Sequence, residues 1–174
     1  MQKHLSENEM EEILQTYKSV VFLQFISASG VTETDPKEVE DYVKTFENNE
    51  SSGVRRDLVE KIHKKLNNKE AMILMFDELI QPLMKAAPGG QKLDKEYIKR
   101  SREAYIKSMT EEMKNETLFA TKDFSMEELE ELLKVTQTPA IDHEVKAIYG
   151  GMAFALKDFF ITLASKYDIS KHQR

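Results

Sequence analysis

Hydrophobic residues recur at intervals of three and four along most of the chain, which is the spacing of a buried stripe on an α-helix. Val54, Leu58, Ile62 and Leu66 give the plainest example, with basic residues on the other faces of the same segment. Apolar and polar residues nowhere alternate over more than a few positions, as they would in a half-buried strand. The pattern therefore predicts an all-α protein.

Cap and breaker residues divide this pattern into six or seven helices. Pro36 fits the first position of a helix, and Pro82 is expected to kink one. Because the connections are short, we expect a single-domain bundle, residues 1–174, with mostly antiparallel neighbours. The predicted helices span about residues 6–28, 36–48, 54–66, 69–86, 94–114, 125–137 and 139–166, with a loop over 48–53.

Two of these helices share one kind of start. Ser6 and Ser125 are predicted N-caps, each with a glutamate three residues later, Glu9 and Glu128, as in a capping box. The flanking apolar residues correspond as hydrophobic staples: Leu5 with Phe124, and Met10 with Leu129. The correspondence has two open interpretations, a weak internal repeat or a chance likeness between two amphipathic helices.

Composition narrows the class of protein. The chain is 40% hydrophobic and 32% charged, which suits a soluble helical protein with a charged surface. Its net charge of −6 argues against a general nucleic-acid binder, and it has no Cys for disulfides or thiolate chemistry. It has no run of 18 apolar residues, so we expect no transmembrane segment. The N-terminus is too polar for a leader, so the protein is expected to be periplasmic or secreted if a leader was removed, and otherwise cytoplasmic.

Two short motifs carry candidate chemistry. Glu60 and His63 form one E-x-x-H, whereas di-iron bundles use two such motifs with further glutamates. His143 and Glu144 are adjacent, and adjacent residues on a helix do not face each other. The nine methionines fit either a packed core or an adaptable hydrophobic groove. The sequence therefore assigns no catalytic, cofactor-binding or metal-ligating residue.

The second half of the chain resembles a bacterial family known only as a domain of unknown function. The resemblance lies in Phe124-Ser125-x-x-Glu128-Leu129 followed by Thr138-Pro139, and it extends over about residues 54–160. The chain departs from the family pattern at Val135-Thr136, where an aromatic residue is expected, and at Ala140-Ile141, where a glycine is expected. Members are small helical proteins, usually exported, so the resemblance implies a helical fold and export to the periplasm, without an activity or a site.

These observations favour a non-enzymatic helical interaction module that binds a protein or an apolar ligand in a groove between helices. The alternative is a metal-binding or hydrolytic bundle using His63 with Glu60, or His143 with Glu144. Acidic helix starts and a basic segment could complement each other within one molecule or between two copies, and the second alternative makes a homodimer a further expectation. Gly150 and Gly151 interrupt the longest apolar stripe, which predicts a close helix crossing there, with the apolar run Val20–Ile26 as the expected neighbour.

Overall fold

The computed structural model describes residues 5–30, 35–47, 53–90 and 93–166, and within these ranges the chain is helical and contains no strand. A π-helical turn, Phe76–Ile80, joins α5 and α6 without a break, so the described ranges hold eight separate helices, one more than the highest number predicted. The predicted loop over 48–53 lies, except for Gly53, outside the described residues. The helices are α1 Glu7–Lys18, α2 Val20–Ser29, α3 Pro36–Glu47, α4 Gly53–Leu66, α5 Lys69–Met75, α6 Gln81–Ala86, α7 Lys95–Ala120, α8 Met126–Thr136 and α9 Pro139–Lys166.

The first predicted helix, 6–28, is wrong as a single element, because the chain leaves the helical conformation at Ser19. Ser19 has φ −66° and ψ 129°, and it ends α1 and begins α2. The break turns α2 so that Phe22 and Phe25 are buried while Val20 is 79% exposed. Burial within the apolar run Val20–Ile26 is therefore limited to one face.

Two further differences have local causes. Pro82 has no N–H, and the π-helical turn lies directly before it; the N–H of Gln81 bonds to the carbonyl of Phe76. Helix α7 continues to Ala120, six residues beyond the predicted end, because Thr117 and Leu118 are buried rather than part of a connection. Thr117 Oγ1 donates to the carbonyl of Met113 at 2.7 Å, which satisfies the hydroxyl within the helix.

Both predicted capping boxes are confirmed. Ser6 and Ser125 each accept a hydrogen bond from the backbone three residues later, and the glutamate side chain returns to the cap N–H. The packing around the two boxes differs, since Leu129 is fully buried with Phe124, whereas Met10 is 45% exposed. The shared feature is thus the cap, and the internal repeat stays a hypothesis.

Helices α5, α7 and α9 pack together around Met75, Leu79 and Ala153. Ion pairs follow the contact of α5 and the π-helical turn after it with α9 in chain order, from Glu70–Lys146 at 2.7 Å to Glu78–Lys157 at 3.6 Å. The pairs advance in the same direction along both helices, so α5 and α9 run parallel.

The close crossing predicted at Gly150 exists, but its partner differs from the expected one. A Cβ placed on Gly150 would lie 3.2 Å from Cδ2 of Leu74 in α5, so the neighbour is not Val20–Ile26. A Cβ on Gly151 would meet nothing within 4 Å. Gly150 therefore makes room for α5, and Gly151 faces outward.

Candidate ligand-binding cleft

The E-x-x-H motif of α4 is divided by the helix geometry. His63 is buried, with 3% of its surface exposed, and Asn67 Nδ2 lies 3.0 Å from its Nδ1. Burial and the charge of Lys114 lower the pKa of His63. Glu60 pairs instead with Lys64 at 2.6 Å near the surface. His63 is thus a hydrogen-bonded core residue, and it does not share a site with Glu60.

His143 and Glu144 point in different directions. The exposed His143 contacts Glu9 of the first capping box through its Nδ1, across the interface between α1 and α9. Glu144 is half-buried and hydrogen-bonds with Tyr17. The adjacent pair therefore does not act as one acid–base unit. Within the described ranges, no group of three or more His, Asp or Glu residues is placed to hold a metal ion.

A cleft of about 930 Å³ opens among the described residues. We call it the inter-helix cleft; its walls come from the ends of α1 and α4 and from α2, α3, α7 and α9. Aromatic and aliphatic side chains cover most of the wall, among them Phe22, Phe25, Ile26, Val39, Val43, Leu66, Met113, Phe119, Ile141, Val145 and Ile148. Phe22 and Phe25 reach the cleft because of the break at Ser19, after which α2 packs against α7 and α8.

Four carboxyl groups line the inter-helix cleft, on Glu40, Glu112, Glu116 and Glu144. Among the described lining residues the one cation is Lys44, and Glu40 holds its ammonium group at 2.5 Å. The cleft therefore carries a surplus of negative charge next to apolar walls.

The environment of the cleft perturbs its titratable groups. Burial raises the pKa of the Glu144 carboxyl, against the hydrogen bond from Tyr17, which lowers it. Burial also raises the pKa of Glu116, and the neighbouring charge of Glu112 raises it further. The pKa of the Tyr17 phenol is raised by its own burial and then by the charge of Glu144. The raised pKa values of Glu116 and Glu144 mean that these two carboxylates lack the full solvation of water and would gain from a cationic partner.

Sequence reasoning reaches this site only in part. The sequence points to Glu144, but for a pairing with His143 that the helix geometry does not allow. The predicted end of α7 is six residues too early, which assigns Glu116 wrongly to a connection. Tyr17 and Met113 belong to predicted apolar stripes, but spacing along one helix does not reveal which stripes leave a gap between them.

No family model, curated protein or solved structure matches this chain. The family resemblance of residues 54–160 thus stays a prediction. By length and composition, α9 is the one helix of the described ranges that could cross a membrane, with 6% of its 18-residue apolar window buried. A single such helix is weak evidence of a span.

Proposed function

We propose that this chain is a helical-bundle module that binds an apolar ligand carrying a positive charge in the inter-helix cleft. The observation that carries the proposal is the combination of a cleft of about 930 Å³ with apolar walls and a surplus of carboxyl groups. Ligand sites typically have volumes of about 300–1,000 Å³, apolar linings and a few polar groups that fix orientation. The inter-helix cleft fits this description in size and in composition.

The apolar walls supply the affinity in this proposal. Phe22, Phe25 and Val43 are buried members of the surrounding core, so one side of the cleft is rigid. Ile26 on α2 is 42% exposed and lines the same cavity, so an apolar ligand would cover surface that water now reaches. Such burial stabilises a complex by about 25 cal/mol for each Å² of apolar surface removed from water.

The carboxyl groups supply the selectivity for charge. Glu144 is half-buried beside Tyr17, and Glu116 lies on the facing wall formed by α7. Lys44 is already engaged by Glu40, so it does not neutralise the other carboxylates. A ligand ammonium group would restore the solvation that Glu116 and Glu144 lose by burial, whereas an anionic head group would be repelled.

The alternative function, a metal-binding or hydrolytic bundle, has no observation in its favour. Glu60 faces Lys64 while His63 is enclosed by the core, and His143 turns toward Glu9 while Glu144 turns toward Tyr17. Neither pair converges on a common point where a metal ion or a substrate could sit.

The experiment compares two rod-shaped fluorescent probes, diphenylhexatriene and its trimethylammonium derivative, which differ only in the cationic head group. Both are expected to bind, and Ile26→Trp is expected to weaken both by narrowing the cleft. The cationic probe is expected to bind about tenfold more tightly at low salt, and the preference should shrink as salt is added. Fluorescence titration measures both affinities.

Matched variants assign the preference to the cleft. Glu116→Gln with Glu144→Gln should remove most of the preference for the cationic probe while retaining the affinity for the neutral one, because only Glu112 and the paired Glu40 then remain. Glu103→Gln with Glu111→Gln removes the same charge from exposed positions of α7 outside the cleft and should leave the preference intact. Failure of both probes to bind would overturn the binding function, and equal affinity for both would overturn the charge selectivity alone.

A further inference from the structure

The outward face of α9 is an apolar surface that nothing in the described chain covers. Phe154 is 76% exposed and Phe159 is 64% exposed, and Leu163, Ile148 and Met152 are each exposed by about half. Among the exposed positions between 147 and 163, Asp158 is the one that carries a charge. Contiguous apolar surface of this kind marks an interaction site on most monomeric proteins.

The exposed area is close to what a dimer requires. Taking roughly 200 Å² for each large side chain and its exposed fraction, Ile148, Met152, Phe159 and Leu163 give about 400 Å² per copy. Phe154 lies about 100° around the helix from Ala155 and adds about 150 Å² at the flank of the face. A standard protein interface buries about 800 Å² per partner, and the small residues between these side chains add to the total. The outward face of α9 therefore approaches the area of a standard interface, and the same face of a second copy is of the right size to cover it.

The face also has the shape to pair with itself. Ala147, Gly151 and Ala155 are exposed at intervals of four residues beside the large side chains, and a Cβ on Gly151 would meet nothing. If two α9 helices run antiparallel about a two-fold axis at Ala155, Phe159 of one copy lies opposite Gly151 of the other. Its ring then enters the hole formed by Ile148, Gly151, Met152 and Ala155, and Leu163 lies opposite Ala147. A parallel pair would instead place Phe159 against Phe159 and leave the notch at Gly151 empty.

A lipid bilayer fits the same face less well. Lys157 and Asp158 occur within the apolar half of α9, and Lys157 reaches toward Glu78 in the π-helical turn after α5. A spanning helix would carry both charges into hydrocarbon, which is costly. It would also have to abandon the packing of Ala153, which is fully buried against Met75 and Leu79. We propose that the outward face of α9 docks on the same face of a second copy, antiparallel, with the two-fold axis at Ala155.

Single cysteines test the geometry, because the natural chain has none. Ala155→Cys places the two thiols at the two-fold axis, so a short bismaleimide is expected to link two copies. Ala147→Cys is the matched control on the same exposed face, but antiparallel pairing separates the two thiols by about 24 Å along the helices. Linkage at Ala155→Cys alone supports the proposal, and equal linkage at both positions overturns it.

Exchange of the large and small residues tests the interlocking. Gly151→Leu fills the notch and Phe159→Ala removes the side chain that enters it, so each should weaken the dimer by about 30-fold or more in sedimentation equilibrium. The double variant is expected to recover most of the loss, because the leucine side chain introduced by Gly151→Leu then occupies the space vacated by Phe159→Ala. Circular dichroism of each variant checks that the helices are intact, which the open surroundings of Gly151 favour. Additive loss without recovery overturns this register.

The unaltered chain gives the final comparison. We expect its sedimentation to show a monomer–dimer equilibrium, and we expect it not to float with vesicles of neutral or anionic phospholipid. A monomer at every concentration overturns the proposal. A monomer that floats with vesicles assigns the face to a lipid surface and likewise overturns the dimer.

Discussion

Arg55 ties α4 to the end of α7 and to the start of α8. Its guanidinium donates to the carbonyls of Phe124 at 2.7 Å and Lys122 at 3.1 Å, and to that of Thr121 as well. These carbonyls belong to the turn that precedes the second capping box, and both Thr121 and Phe124 are buried. We therefore expect the Arg55→Gln variant to lose stability by separating this turn from α4.

The magnitude follows from the bonds that are lost. A hydrogen bond with one charged partner contributes about 1.5–3 kcal/mol to stability. Two nitrogens of Arg55 make such bonds, but the side chain is partly exposed, so we expect Arg55→Gln to lower the free energy of unfolding by about 3 kcal/mol in total. For a chain of this size that loss lowers the melting temperature by about 6–12 °C. Arg55→Lys keeps the charge but loses the planar fork of donors, so its loss should be intermediate.

Denaturant and thermal unfolding, followed by circular dichroism, measure the effect. Lys61→Gln is the matched control, because it removes the same charge from an exposed position of the same helix. We expect that control to change the free energy of unfolding by no more than about 0.5 kcal/mol. If Arg55→Gln unfolds with the same free energy as Lys61→Gln, the contacts with the turn do not stabilise the fold and the reasoning fails.

Two further predictions concern α9 and the first capping box. In dilute monomer, Gly151→Ala should raise the free energy of unfolding by up to about 1 kcal/mol and with it the melting temperature, because the added Cβ meets nothing. Gly150→Ala must displace Leu74, so it should melt at a lower temperature than Gly151→Ala. The reverse order of the two melting temperatures would contradict the assignment of the crossing. The hydrogen bond with Ser6, followed by that with His143, lowers the pKa of Glu9 from 4.5 to about 2. Because the pKa of Glu9 is depressed in the folded state, the stabilisation that its carboxylate provides is present above about pH 4.5 and is lost as the pH falls toward 2. The difference in free energy of unfolding between the natural chain and Glu9→Gln should therefore shrink from about pH 6 to about pH 3. A difference that stays constant over this range would refute the prediction.

The sequence alone was sufficient to predict the helix caps, the bounds of α9 and the helical class. The capping boxes at Ser6 and Ser125 depend on residues three positions apart, so their spacing alone was sufficient to predict them. The start of α9 at Pro139 and its length to Lys166 likewise follow from a proline and a continuous apolar stripe. The all-helical class follows from the same periodicity, because one stripe every 3.6 residues can be buried only by a helix.

The tertiary structure decided how the helices meet, and with it the candidate sites. The sequence cannot reveal that the chain breaks at Ser19. The free-energy cost of interrupting the helix is compensated only when Phe22 and Phe25 are buried against α7 and α8. Nor can it reveal that Gly150 faces Leu74 while its neighbour Gly151 faces outward. The inter-helix cleft is a gap between several helices that are distant in sequence, and the apolar face of α9 is defined by what fails to pack on it. Such features depend on contacts among distant residues, which a periodicity within one helix does not encode.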